Sequence, residues 1–335
     1  MPAAAFKPVV RRARHAWLAA LGAALALTSA AARADYPDRP VRLIVGLQAG
    51  ASTDNLARAL AQRLGERLHQ PFVVDNKPGG ATRLGMEAVS RAAPDGYTLG
   101  IANAVTASFP QMFDNFAFTP GKDFVPVAML GRAPSFIAVR AGLPAKNVQE
   151  FVAYARANDG KISFGQGSNG SNPHLAALLL MKSLGVHAIE VPYKGNAPTA
   201  VALAGGEVDF AMLEYAAARP MVERGAVRLL AVTEPRRAEL LPAVPTSSEQ
   251  GLTRELDGIT PWFMLVAPPG TPSAVVATLN RHVSEILKSK DMRQALALVG
   301  IEPDEAGTPA AALAYFQRQR EQVARLAREL NVSFK

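Results

Sequence analysis

The feature that most narrows the folds open to this chain is a unit that recurs along it. A short apolar run leads into a loop of small residues, then into a stretch whose apolar side chains fall at helical spacing. Val41-Arg42-Leu43-Ile44-Val45 reads as a buried strand, and Thr53 to Leu68 as a helix with Leu56, Ala57, Leu60, Ala61, Leu64 and Leu68 on one face. Pro71 to Val74 is the next strand, ended by the turn-forming run Asn76 to Gly80. A short helix over Met86 to Ala93 and a strand over Tyr97 to Ile101 follow. After Ala133-Pro134 the order restarts, with a strand at Lys161 to Phe164, a glycine-rich loop at Gly165 to Asn172 and a helix from Pro173 to Leu184. Proline near the start of that helix is tolerated, because the first N–H groups have no partner inside the helix. Strands at Ala188 to Val191, Val208 to Met212 and Val227 to Val232 alternate with helices at Pro198 to Leu203 and Ala216 to Arg224. Pro261 to Val266 is an apolar strand, and the chain from Pro268 to Leu330 reads as largely helical. This alternation predicts α/β layers with parallel sheets, in two lobes followed by a helical section.

The first residues obey a different rule. Lys7, Arg11, Arg12 and Arg14 precede an uncharged, Ala-rich run from Trp17 to Ala32, and Ala32-Arg33-Ala34 offers small residues for cleavage. That is the layout of a secretory signal peptide. The run is short of the roughly 20 apolar residues that span a bilayer. Cleavage after Ala34, by general secretion rather than a twin-Arg route, is expected to leave 301 of the 335 residues, in the bacterial periplasm.

Removing residues 1–34 takes away Lys7, Arg11, Arg12, Arg14 and Arg33 and no acid, so the formal charge falls from +8 to +3. Most of the basic character belongs to the export segment, which withdraws the compositional case for nucleic-acid binding. The absence of cysteine excludes disulfides, Cys-ligated zinc, iron–sulfur clusters and thiol catalysis. Beyond the signal, His69, His174, His187 and His282 are the only histidines, and none pair at metal-ligand spacing. No metal and no cofactor are expected, and no catalytic residue is assigned.

Two loops carry the chemistry. Gln48-Ala49-Gly50-Ala51-Ser52-Thr53-Asp54 joins a strand to a helix, with Ser52 or Thr53 as a natural N-cap. Gly167-Ser168-Asn169-Gly170-Ser171-Asn172 does the same in the second half, with Ser171 or Asn172 in that role. Small residues let a ligand approach the backbone, and the N–H groups of a helix start attract anions. Either loop alone could be a tight turn; one in each lobe points to a cleft. His174, one turn into the second helix, could face that cleft or serve local packing. Glu214, just past the strand Val208 to Met212, lies where α/β sheets place ligands. A competing reading comes from Gly165-x-Gly167-x-x-Gly170, a literal dinucleotide fingerprint after a strand, with Glu190 twenty residues beyond Gly170. On that reading the chain is an exported enzyme or dinucleotide-binding protein.

Pro40 to Val45 followed by Ala49 to Asp54 resembles the opening of the Bug family of periplasmic solute-binding proteins, receptors of tripartite tricarboxylate transporters. The resemblance continues through Val74-Asp-Asn-Lys-Pro-Gly79, Ala92-Ala-Pro-Asp-Gly-Tyr-Thr-Leu99, Lys122 to Val127, Val191-Pro-Tyr-Lys-Gly-Asn-Ala-Pro198, Gly206 to Asp209, Leu229 to Thr233 and Trp262 to Pro272. It implies a two-lobed Venus-flytrap fold of type II-like form, with two chain crossovers and a helical C-terminal section. It implies a small organic carboxylate bound between the lobes by Gln48 to Asp54, by Asn103 to Thr106 and by Gly167 to His174. A membrane permease of the tripartite tricarboxylate type, or a sensor, would be the partner, and the receptor itself a monomer. The chain departs from the family pattern at Gly46 to Ala51, at Ala102 to Ser108 and at Glu214, where Asp is common. The expected division is residues 35–137 plus 260–335 for one lobe and 138–259 for the other, leaving the first lobe near Phe136 to Arg140 and returning near Thr260 to Val266.

Overall fold

Residues from Arg39 onward form one unit around two mixed sheets in the computed structural model, which describes residues 36–113 and 118–332. The expected signal peptide, residues 1–34, lies outside the described residues.

The first sheet starts as the apolar pattern predicts. β1 (Val41–Val45) buries all but Arg42, and α1 (Ser52–Leu68) turns Leu56, Ala57, Leu60, Ala61 and Leu64 inward. β2 (Phe72–Asn76), α2 (Arg83–Ser90) and β3 (Thr98–Asn103) follow, with β2 and β3 parallel to β1 on either side. Two single turns, α3 (Ala104–Ala107) and α4 (Phe109–Met112), lead towards β4 (Val125–Arg132).

The second sheet is built from β5 (Ser135–Arg140), α5 (Val148–Ala157), β6 (Ser163–Gln166), α6 (Asn172–Leu184), β7 (Ile189–Pro192), α7 (Asn196–Gly205), β8 (Phe210–Glu214), α8 (Tyr215–Glu223) and β9 (Val227–Val232). A short 3₁₀ turn at Arg254–Leu256 precedes β10 (Trp262–Ala267), which rejoins the first sheet. Then come α9 (Ser273–Lys288), α10 (Lys290–Leu298), β11 (Glu302–Pro303) and α11 (Pro309–Glu329). The strand orders are β11-β4-β10-β3-β1-β2 and β7-β6-β8-β5-β9.

The sheets are not purely parallel, as the alternation alone had suggested. β10 runs antiparallel between β3 and β4, and β5 runs antiparallel between β8 and β9. A strand arriving from the other lobe starts at the end where its parallel neighbours stop, so it must run against them. The passage out of the first sheet lies at Ala133-Pro134. Phe136 to Arg140, the expected exit, already belongs to β5, so a division at 137–138 would cut that strand. The return runs through Thr260-Pro261 into β10. The two passages are tied side by side: Ala133 N–H donates to Pro261 O at 2.8 Å, and Thr260 Oγ1 donates to Ala133 O at 2.6 Å.

Each sheet has its own core. Ile44, Met86, Phe109, Phe124 and Trp262 lie in one, and Ile137, Phe151, Phe164, Leu175 and Phe210 in the other. The helix α11 belongs to both. Its first half puts Ala312 and Phe316 into the first core, and its second half puts Val323 and Leu326 into the second. At about 1.5 Å per residue, its 21 residues span roughly 30 Å, enough to reach across. The expected assignment of all of 260–335 to the first lobe is therefore corrected: the last turns of α11 pack on the second.

Candidate binding cleft

A cavity of about 640 Å³ opens between the loops at the C-terminal ends of the two sheets. The first sheet supplies Ala51, Ser52 and Thr53 at the start of α1, and Asn103 at the end of β3. The second supplies Gly167, Ser168, Asn169 and Ser171 from the loop between β6 and α6, and Glu214 from the end of β8. The nine are expected site residues brought together from four separate elements.

The other expected residues are placed elsewhere. Gln48, Ala49 and Gly50 belong to the loop before α1 but do not line the cavity. Asp54 is buried beneath it. Its Oδ2 accepts from Gly50 N–H and Arg58 Nε, both at 2.9 Å, and its Oδ1 accepts from Asn76 Nδ2 at 2.9 Å. Burial alone would raise the Asp54 carboxyl, but the hydrogen bonds from Arg58, Gly50 and Asn76 outweigh it and hold the group below the usual range. Ala51 occupies the N-cap position without a side-chain bond, so Asp54 fastens this loop, and neither Ser52 nor Thr53 caps the helix. Thr106 faces back on Asn103, its Oγ1 accepting from Asn103 N–H at 3.2 Å.

His174 is a buried positioning group for the second loop. Gly170 N–H donates to its Nδ1 at 2.9 Å, so the neutral ring carries its proton on Nε2, 3.2 Å from Glu190 Oε1. Burial pushes the imidazole below its usual range, against the opposing pull of Glu190. Ser171 caps α6 as expected: its hydroxyl accepts from His174 N–H at 3.4 Å.

The dinucleotide fingerprint has a packing explanation. A Cβ on Gly165 would fall 2.7 Å from Thr199 Cγ2, and one on Gly167 would fall 2.7 Å from Asn196 N. Gly165 makes room for the Thr199 side chain of α7 and Gly167 for the loop that enters it, rather than for a pyrophosphate. Glu190 is occupied by His174 and by Gln166 Nε2 at 3.2 Å.

Several lining residues escaped the sequence reading. Asn196, at the first turn of α7, donates through Nδ2 to Glu214 Oε2. Its signal was present, since it follows a strand and a glycine and opens a helix. Thr82 and Gly300 carried none, because only tertiary packing brings them to the cleft. Gly300, at φ +71°, lies so close to α8 that a Cβ there would fall 3.0 Å from Ala216 N.

Residues 56–332 match the family described as the tripartite tricarboxylate transporter family receptor. The protein BugT of Bordetella pertussis is 34% identical over 270 residues, which cover 80% of this chain and 82% of that protein.

The chain belongs to this receptor family.

Solved structures agree with its two-lobed α/β fold. A protein of R. palustris solved with adipate is 32% identical, covering 89% of this chain and 99% of its own, with a TM-score of 0.75. MatC of Rhodopseudomonas palustris, solved with malate, is 31% identical, covering 88% and 100%, with a TM-score of 0.66. The wall of the cleft is nearly free of charge. Among the described residues lining it are no Lys, Arg or His, and Glu214 is the sole ionisable group. Burial pushes Glu214 above the usual carboxylate range, with its own backbone N–H and Asn196 opposing. Among all described residues no cluster of three or more His, Cys, Asp or Glu could hold a metal ion, and no helix is long and apolar enough to cross a membrane.

Proposed function

We propose that this protein is an extracytoplasmic solute receptor that holds a small organic carboxylate between its lobes. It would be exported to the periplasm with cleavage after Ala34. It would pass its ligand to a membrane permease of the tripartite tricarboxylate type or report it to a sensor. The observation that carries the reading is the cleft: the starts of α1 and α6, one from each sheet, line a single cavity. A helix start favours negative charge by about 0.3–1 kcal/mol when exposed and up to about 2 when partly buried. Two of them, with neutral hydroxyl and amide donors around, suit a carboxylate without any salt bridge. The adipate and malate in the related structures support the ligand class. No observation favours the dinucleotide alternative. In binding, the lobes close about the hydrogen-bonded passages at Ala133-Pro134 and Thr260-Pro261.

A thermal-shift screen of carboxylic acids finds the ligand, because one that binds the folded state alone raises the midpoint by mass action. Replacing Ser171 with Asp then tests the site. Asp is also a good N-cap, so the fold is kept while a like charge meets the ligand. Affinity is expected to fall about tenfold or more, roughly 1.4 kcal/mol. Ser171→Ala should lose less, because the backbone N–H groups remain. Calorimetric titration decides it; unchanged affinity in a normally melting Ser171→Asp protein places the anion elsewhere.

Trp262 offers a second readout. It is fully buried, lines the cleft at the start of β10, and meets Tyr315 and Phe316 edge-on at 5.7 and 5.9 Å. Closure about the return passage beside it is expected to change its emission. A calorimetrically proven ligand that leaves the emission untouched would show that the surroundings of Trp262 do not move.

A further inference from the structure

Glu214 is the most unusual group in a cleft read as a carboxylate site. It ends β8, which is paired on both sides, with Ser135 of β5 directly opposite Glu214 and β6 along the other edge. Asn196 holds its Oε2, and its own backbone N–H takes a further share of its acceptor capacity. A carboxylate has about four lone-pair positions, so two donors leave it able to accept more. The acid is therefore fixed in place rather than swinging free. Its neighbours on the wall, among them Gly167, Ser168 and Asn169, are neutral, and among the described residues no cation lines the cavity.

A ligand with a second carboxylate against Glu214 would bring two acids together with no positive charge to separate them. One of the two must then hold a proton or the pair repels. An ammonium in the same place turns the contact into a charge-assisted N–H···O bond, which is short and roughly twice as strong as a neutral one. On the receptor reading above, on which this inference rests, the ligand's own carboxylate is held by the helix starts. We infer that the ligand carries, besides that carboxylate, a cationic hydrogen-bond-donating nitrogen that docks on Glu214, so that the preferred solute is an amino-substituted acid and not a plain dicarboxylate. The rise of the Glu214 pKa through burial agrees with an acid that lacks its counter-charge until the ligand arrives.

The test uses the purified protein and length-matched probes: succinate with 4-aminobutanoate, glutarate with 5-aminopentanoate, and adipate with 6-aminohexanoate. Each is titrated calorimetrically at neutral pH into wild type and Glu214→Gln, with melting curves as the folding control. The amino acid of at least one length is expected to bind wild type about tenfold or more tighter than its matched dicarboxylate. Glu214→Gln should erase that preference while the protein still melts normally. A protonated Glu214 donating to a second ligand carboxylate predicts the opposite order, with the dicarboxylates tighter at every length. That result overturns the inference and leaves the receptor reading standing. A preference for amino acids that survives Glu214→Gln also overturns it. No response to any carboxylate, in these pairs or in the wider acid screen, overturns both. If Glu214→Gln does not fold, the order of the wild-type pairs alone decides.

Discussion

Replacing Arg132 with Met is expected to lower the melting midpoint by roughly 3–6 °C at pH 8, and by less at pH 5. Arg132 is the last residue of β4, and Glu234 follows β9, so their contact joins the two lobes next to the passage at Ala133-Pro134. Nη1 of Arg132 lies 3.1 Å from Glu234 Oε2, and its Nε lies 3.5 Å from Asp304 Oδ2. Glu234 is 95% buried, with a side-chain exposure of only 5%. Deleting Arg132 leaves Glu234 without its counter-charge, but proton uptake caps the cost: with the wild-type carboxyl already at about 7, keeping it neutral at pH 8 costs only about 1.4 kcal/mol more. In proteins of 150–250 residues each kcal/mol lowers the midpoint by roughly 2–4 °C.

The pH dependence follows from Glu234. Burial pushes its carboxyl up to about 7 even though Arg132 pulls it down, while Glu302 and Asp304 push the same way as burial. Tyr315 and Arg318 of α11 complete the charged surroundings, and burial raises the Tyr315 hydroxyl too. A carboxyl whose folded pKa lies above its unfolded value contributes stability that is complete below the unfolded pKa and is lost as pH rises through the folded one. For Glu234 that window runs from the ordinary Glu value of 4.5 to about 7. At pH 5 the folded protein keeps the proton and Arg132→Met buries no bare charge. At pH 8 wild type holds an ion pair, whereas the variant, without Arg132 to pull the carboxyl down, must take up a proton to bury it. Calorimetric melts of both proteins at the two pH values measure this. Equal losses at both would mean that Glu234 does not take up the proton.

The strands and helices that pack against one surface were legible from spacing. α1 has a single buried stripe, so the period of Leu56, Leu60 and Leu64 located it to within one residue. α11 has the same kind of stripe, but its two halves face different cores. An amphipathic run looks alike whether it meets one partner or two, so its bridging role was hidden. The exit from the first lobe was placed a few residues late because β4 and β5 are both apolar and only Ala133-Pro134 separates them. In the cleft, loop composition marked the second-lobe segment that lines the cavity, since Gly167 to Ser171 carry few long side chains. The role of Asp54 in fastening the first loop was not legible. Its partners include Asn76, 22 residues away at the end of β2, and no local pattern reports that bond.

The cleft's dependence on one glycine yields the second large effect. Gly167 has no positive φ to defend, so its need is for space alone. Gly195 N–H donates to Gly167 O at 2.8 Å, drawing the loop before α7 against the loop before α6. A Cβ at 167 would lie 2.6 Å from Gly195 C and 2.7 Å from Asn196 N, closer than such atoms can approach. The nearest atom is the side-chain Oδ1 of Asn196, but the next two are backbone, so turning that side chain is not enough and the loop itself must move. Overpacking of this kind costs about 1–3 kcal/mol of stability. The larger damage falls on binding, because Asn196 holds Glu214, and the displaced loops form that wall of the cavity. Gly167→Ala is expected to remain folded and to bind the carboxylate found by screening at least about 30-fold more weakly, near 2 kcal/mol. Gly205→Ala, at the far end of α7 with nothing within 4 Å of the added methyl, is the matched control and should bind as wild type does. Titration of the three proteins with one ligand separates steric displacement from a general response to an added methyl. Wild-type affinity in a normally melting Gly167→Ala would mean that the 195–196 loop can retreat without disturbing Glu214, and that the cleft wall is softer than its close contacts imply.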